Sequence, residues 1–246
     1  MKSPYISIKF KFIIALLMAV MWASLSVWLS LPWFYDLRDV VGAWFAGYLV
    51  GFIAIVPGFM NAFVVASLFV DKRPKFKEVT DYPPVTILVA AFNEALSIED
   101  TIFSLVNQDY PGEIVIRIIN DGSTDDTASI VQRLAAAINN LELITYDTNR
   151  GKSTALNLGL ATAQTALVIT VDADCMVKRN GVRQLVLRFL SDPPNTKAVA
   201  GEILIRNSRD NWITKAQEWD YFLGIATVKR VQSLFQGTLV AQGAFS

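Results

Sequence analysis

Two carboxylates one residue apart, Asp172 and Asp174, end an apolar, β-branched run, "ALVITVDADC" from Ala166 to Cys175. Such a run reads as a strand buried on both faces. Residues i and i+2 of an extended segment point to one side, so these carboxylates converge. Like charges that close raise each other's pKa unless a cation intervenes. A divalent ion resolves the conflict. The chain has no histidine, and Cys175 is its one cysteine, so no second thiol is present to assemble a thiolate cluster. Oxygen ligands then favour Mg²⁺ or Mn²⁺ over zinc. The plainer alternative has one Asp capping the next helix and the other solvated. With histidine absent, acid–base work is left to carboxylates, Lys or Arg.

Similar polar clusters follow the neighbouring β-like stretches. "VTILVAAF" from Val85 leads to "AAFNE", "EIVIRIIN" from Glu113 runs into "NDGSTDD", and "LELITY" from Leu141 precedes "DTNRGKS". Glu94, Asp121 and Lys152 thereby join the Asp pair at strand ends. "AVAGEILI" from Ala198 reads as a fifth strand. Helical stripes fill the gaps, with Ile98, Ile102, Leu105 and Val106 in one and Ile130, Val131, Leu134 and Ala135 in another. The alternation predicts an α/β fold with a mostly parallel sheet, whose ligands bind beyond the carboxyl ends of the strands. Each cluster also has a structural reading. Asp121-Gly122 suits a turn, Ser123 with Asp126 fits a capping box, Glu94 a helix cap, and Lys152 a solvated charge. "RGKST" matches the tail of a phosphate-binding P-loop, but Tyr146 stands where the motif needs glycine. Lys152 beside Gly151 at a helix start can still meet an anion.

The elements that carry these residues follow a very different segment. Of 246 residues, 53% are hydrophobic, and they concentrate in the first seventy. Basic and acidic residues balance at 22 each, which argues against a nucleic-acid partner. Phe12 to Leu31 is uncharged and matches the roughly 20 residues that a helix needs to cross a bilayer. It is longer than the ~7–15 residues of a signal-peptide core. A second uncharged run, Val40 to Val70, contains Pro57, Gly58 and Asn61, and its crossing helix is expected from about residue 46. Lys2, Lys9 and Lys11 precede the pair, Lys72, Arg73, Lys75 and Lys77 follow it, and the connecting "PWFYDLRD" is net acidic. The positive-inside rule then puts both ends in the cytoplasm. With Pro74, Pro83 and Pro84 marking a linker, the expected organisation is a membrane hairpin over 1–71, a linker over 72–84 and an α/β domain over 85–246.

Taken in order, "AAFNE", "NDGSTDD", "NRGKSTALNLG" and "VDADC" resemble the nucleotide-sugar-binding half of family 2 glycosyltransferases with the GT-A fold. The two preceding apolar helices make the chain look most like the membrane-bound synthases of poly-N-acetylglucosamine, chitin, hyaluronan or cellulose. The resemblance covers about Pro83 to Ser246. It implies that Ala91, Phe92 and Glu94 line the nucleoside pocket, that Asp121 meets the uracil and that Lys152 lies near the ribose or phosphates. Asp172 and Asp174 would be the DXD pair, placing Mg²⁺ or Mn²⁺ on the diphosphate. The implied reaction is inverting, metal-assisted transfer from a UDP-sugar, UDP-N-acetylglucosamine favoured, to a growing polysaccharide. The implied setting is a multi-pass protein of a bacterial inner or plasma membrane, with membrane lipid and an accessory membrane subunit among its partners. Two alternatives are single-sugar transfer to a lipid acceptor, polyprenyl phosphate or ceramide, and an inactive nucleotide-sugar-binding or regulatory protein.

Inverting transfer needs a carboxylate to take the acceptor proton. The family's "TED"-like and "QxxRW"-like motifs come after the segment corresponding to "LVAQGAFS". The base is therefore expected beyond Ser246, with the GT-A domain C-terminally incomplete, and none of Glu202, Glu218 or Asp220 is assigned to it. The stripe Trp212, Ala216, Trp219, Leu223 and Ala226 reads as core or membrane-facing packing rather than a sugar platform.

Overall fold

A computed structural model describes residues 6–72, 74–237 and 244–246. Lys2 and Arg73 of the topology reading, and most of "LVAQGAFS", lie outside them. The chain divides into two compact units. One joins the described residues of 1–73 with those of 204–239, and the other joins those of 74–203 with 244–246. The expected division instead kept 204–239 with the α/β domain.

In the first unit, helix α1 (Ile8–Val41) starts at Ser7, whose side chain accepts the Phe10 amide, and ends at Gly42 with φ 82°. It runs well beyond the uncharged stretch at both ends, because a helix, unlike a lipid-crossing count, tolerates charged residues, and it includes Pro32, which leaves one backbone bond of the ladder unmade. Helix α2 (Ala43–Leu49), a π-helical turn (Val50–Ile55) and α3 (Val56–Val70) form the return. The wide turn sits just before Pro57, which cannot donate to the preceding turn. Ile8–Val41 and Ala43–Val70 are each long and apolar enough to cross a membrane. Ala15, Ala19 and Ala66 are buried, and Gly58 lies against the Trp22 indole. Small residues let the backbones approach closely, as in helix pairs within lipid. Ser26 and Ser67 return their hydroxyls to the carbonyls of Trp22 and Phe63, so neither faces an apolar medium unpaired.

Helix α8 (Trp212–Leu223) buries no residue; Trp212 and Trp219 are 77% and 63% exposed, so its stripe is not core. After a second π-helical turn, α9 (Arg230–Leu234) returns to the hairpin. Phe235 meets Phe12 and Phe63 at centroid distances of 5.4 and 5.6 Å, and Arg230 Nε bonds Asp71 Oδ2 at 2.5 Å.

Among its described residues, the second unit has four parallel strands in the order β3-β2-β1-β4. They are β1 (Val85–Ala91), β2 (Ile114–Asp121), β3 (Leu141–Tyr146) and β4 (Leu167–Asp172). Helices α4 (Ile98–Val106), α5 (Thr127–Ala135), α6 (Lys152–Ala161) and α7 (Gly181–Ser191) follow them in turn. On β1, Val85, Ile87, Val89 and Ala91 face a core with Ile98, Ile102, Leu105 and Val131, while Leu88 faces Ile119 and Ala155 of the opposite layer. Both faces are covered, as the continuous apolar runs require. On α6, a Cβ at Gly159 would stand 2.9 Å from Ile119 Cδ1, so glycine lets this helix seat directly on the sheet.

The expected fifth strand at 198–205 does not form. The free edge of β4 is taken by 244–246, which runs antiparallel: Thr170 and Ser246 exchange backbone bonds, and Asp172 donates to Ala244. Gly201 donates to the Phe245 carbonyl at 2.9 Å and lies against the Phe245 ring without joining a strand. The linker is not a free tether. The Lys77 amide donates to Ser191 Oγ at 2.9 Å, and Arg188 donates to the Pro74 carbonyl and covers the Phe76 ring.

Candidate donor and metal site

β4 ends at Asp172, and the chain turns at once, the Cys175 amide donating to the Asp172 carbonyl at 3.1 Å. Asp172 and Asp174 thus converge through a turn and not through strand alternation, which stops at Asp172. Ala173, between them, is buried, and its carbonyl accepts the Thr101 hydroxyl of α4 at 2.8 Å, which anchors the turn. The carboxylates of Asp172 and Asp174 and the Cys175 thiol all lie within 4.8 Å of one another. Burial, then the charges of Asp174 and Asp172, push that thiol up to about 11.

Lys152, the first residue of α6, ion-pairs Asp172. A cation of the chain itself already stands at this carboxylate. The donor set, two carboxylates beside a thiol and no imidazole, fits a divalent ion, with Asp172 and Asp174 as the oxygen donors.

At the end of β2, Asp121 is buried at 2% exposure. Its two oxygens accept the amides of Arg150 and Gly151 at 3.0 and 2.8 Å, fixing the turn that opens α6. Gly122, at φ 73°, makes room for this turn; a Cβ there would stand 2.6 Å from the Asn149 nitrogen. Asp121, the 150–151 turn, Lys152 and Asp172 therefore form one chain of contacts across three strand ends.

The loop after β1 is bound to the loop after β2 by side chains. Asn93, at φ 57°, takes a backbone conformation that Asn tolerates better than most residues. Its Oδ1 accepts the Thr124 amide at 2.8 Å, and its own amide donates to Ser123 Oγ at 3.0 Å. The Glu94 amide donates to Thr127 Oγ1 and the Ala95 amide to Asp125 Oδ2. Hydrogen bonds from Thr127 hold the Asp125 carboxyl below the usual carboxylate range. The expected capping box is absent: Ser123 is engaged with Asn93, the Asp126 side chain makes no cap bond, and the first amide of α5, that of Thr127, goes to Asp125 Oδ1 at 3.0 Å.

Among the sequence-derived residues, the structure brings Lys152, Asp172 and Asp174 together and links Asp121 to them. Ala91 is buried at the end of β1, Phe92 is 44% exposed, and Glu94 accepts the Ser97 hydroxyl at 2.7 Å. Asn93, Asp125 and Thr127, which tie the loops, were not singled out by sequence reasoning. The positive-φ tolerance of Asn93 was the one available signal. The sequence marks Cys175 only as the lone cysteine. Of the late acids, Glu218 is paired with Arg209 at 2.9 Å.

Residues 86–246 match the Glycosyl transferase family 2 profile. The chain is 31% identical over 206 residues to a poly-beta-1,6-N-acetyl-D-glucosamine synthase of Staphylococcus aureus (strain COL), covering 79% of this chain and 49% of that protein. The synthase of the same name from Staphylococcus epidermidis is 29% identical over 209 residues, with 81% and 50% covered. A solved mannosyltransferase from Pyrobaculum calidifontis, in complex with GDP-Man and Mn²⁺, aligns at 23% identity with a TM-score of 0.49, covering 81% of this chain and 50% of that one. The chain spans about half the length of the curated relatives it matches. Its parallel α/β unit has the GT-A type of domain expected from the sequence, and the chain belongs to glycosyl transferase family 2.

Proposed function

We propose that this domain binds a UDP-sugar beyond the carboxyl ends of β1, β2 and β4 and acts in its transfer to a growing polysaccharide, UDP-N-acetylglucosamine being the favoured donor. The observation that carries this reading is the convergence of Asp172, Asp174 and Lys152 at strand ends of a family 2 domain. The name of the Staphylococcus aureus relative supports N-acetylglucosamine as the sugar. Phe92 and Glu94 form the nucleoside side of the pocket where the chain leaves Ala91. Asp121 forms its floor, through the turn that it fixes. Lys152, the first residue of α6, exchanges Asp172 for the donor phosphates. A divalent ion on Asp172 and Asp174, Mg²⁺ or Mn²⁺, would offset the charge left on UDP as the bond to the anomeric carbon breaks, an effect of several kcal/mol. The apolar helices hold the domain at a bilayer, and the lysines flanking them favour a cytoplasmic site.

The test is equilibrium UDP binding to the detergent-solubilised chain. Binding should require Mg²⁺ or Mn²⁺ and collapse in Asp172→Asn with Asp174→Asn. Unchanged, metal-independent binding in that double variant would overturn the site. Product analysis then separates acceptors, since a growing polymer supports the proposal and one sugar on a lipid replaces it.

A further inference from the structure

We infer that Cys175 is a third donor to the metal position of Asp172 and Asp174, and that it biases this domain toward thiophilic divalent ions over Mg²⁺. The inference rests on the metal reading above, but its support is geometric. Cys175 Sγ lies 3.6 Å from Asp174 Oδ1, and both belong to the cluster whose donor atoms fall within 4.8 Å of one another. An ion with sulfur at ~2.3 Å and oxygen at ~2.1 Å separates those two atoms by about 3.1 Å at a right angle and about 3.6 Å at a tetrahedral one. The thiol is already at the second of these spacings.

Its position is also fixed before any ion arrives. The Cys175 amide closes the turn on Asp172, the Thr101 hydroxyl holds the Ala173 carbonyl, and the Cys175 side chain packs against the sheet core. On ligation the S–H bond gives way to a metal–sulfur bond, and the proton leaves to water. A site of carboxylates alone takes hard ions such as Mg²⁺ or Mn²⁺, whereas an added thiolate favours Co²⁺, Zn²⁺ or Cd²⁺. The plainer role for Cys175 is a core filler that donates a weak hydrogen bond to Asp174.

The composition makes the two roles separable. With one cysteine and no histidine in the whole chain, any thiolate-to-metal signal must come from Cys175. The detergent-solubilised full chain is titrated with Cd²⁺ and Co²⁺, and near-ultraviolet charge-transfer absorption is read beside calorimetric affinities for Cd²⁺ and Mg²⁺. The wild-type chain should develop the band at one equivalent of ion, and bound ion should protect Cys175 from alkylation. Cys175→Ser should lack the band and lower the Cd²⁺-to-Mg²⁺ affinity ratio about tenfold or more. If wild type binds Mg²⁺ and UDP through the Asp pair but gives no band with either soft ion, the inference falls while the donor site stands. A band that persists undiminished in the double Asp variant also defeats it, because sulfur would then bind metal without the shared site. Both wild-type readouts are independent of how well Cys175→Ser folds.

Discussion

Asp121 and Asp172 occupy matching places and have opposite surroundings. Each is the last residue of a parallel strand, and both strands flank β1, where Asn120 pairs with Ala91 and Asp172 with Ala90. Asp121 is nearly inaccessible, and each of its oxygens holds a backbone amide. The Asp172 side chain is 29% exposed, and its ion-pair partner is a 51% exposed lysine on a long, flexible stem. A carboxylate saturated by main-chain donors belongs to the fold, since nothing can replace those donors without rebuilding a loop. One held by a mobile ammonium is exchangeable, because a metal or a phosphate can take over either half of the pair.

The sharpest way to break this contrast is to remove each carboxylate in turn. Asp121→Ala leaves the Arg150 and Gly151 amides without acceptors and should cost about 2–4 kcal/mol, with looser protection of 147–152 in hydrogen exchange. Asp172→Ala should stay within ~0.5 kcal/mol of wild type, as expected for a solvent-screened pair. Denaturant or thermal unfolding in one detergent compares them directly. If Asp121→Ala keeps full stability and loses only UDP binding, Asp121 contacts the ligand itself, as the resemblance implied, and the contrast dissolves.

The contrast also shows what a sequence can carry. The four strands and the stripes on α4 and α5 were legible because burial on both faces leaves uninterrupted apolar runs, and helices covering a sheet repeat at 3.6 residues. Strand ends were legible for the same reason, as the points where apolar runs stop. What happens beyond those points was not. The convergence of Asp172 with Asp174 depends on a turn anchored by Thr101, 72 positions away in sequence. Ser123 could cap a helix by local pattern, but the Asn93 amide competes for it and wins. "AVAGEILI" has the composition of a strand, yet pairing also needs a free edge, and 244–246 occupies it. Tertiary partners decide such residues, and a single sequence does not display them.

A smaller effect tests whether the exchangeable side depends on the fixed one. Helix α6 carries Lys152 and rests on the sheet through Gly159, where a Cβ would meet Ile119 and Leu88 at 2.9 and 3.2 Å. Gly159→Ala should destabilise by about 1–3 kcal/mol through overpacking, partly offset by its better helix propensity. The displaced helix should also weaken UDP binding, although no ligand-facing residue has changed. Binding that stays at the wild-type level in a folded Gly159→Ala chain would mean that Lys152 adjusts by side-chain motion alone.

The smallest effect concerns a second group held by the fold. Tyr110 donates its hydroxyl to the Pro83 carbonyl at 2.5 Å, joining the start of β1 to the loop before β2. Burial, with a lesser contribution from Tyr82, pushes Tyr110 up to about 12. The sign follows from proton binding: between pH 10 and 12 the folded chain keeps a phenolic proton that the unfolded chain has lost. Its stabilising contribution is therefore complete below pH 10 and is lost as pH rises toward 12. Because Tyr110 is partly open to solvent, the contribution is about 1 kcal/mol rather than the full equivalent of the shift. Tyr110→Phe should be less stable at pH 8 by a similar ~1 kcal/mol and show a shallower fall between pH 10 and 12. Thermal unfolding across that interval compares the slopes, and parallel curves for the two proteins would show that the Tyr110 proton is not linked to folding.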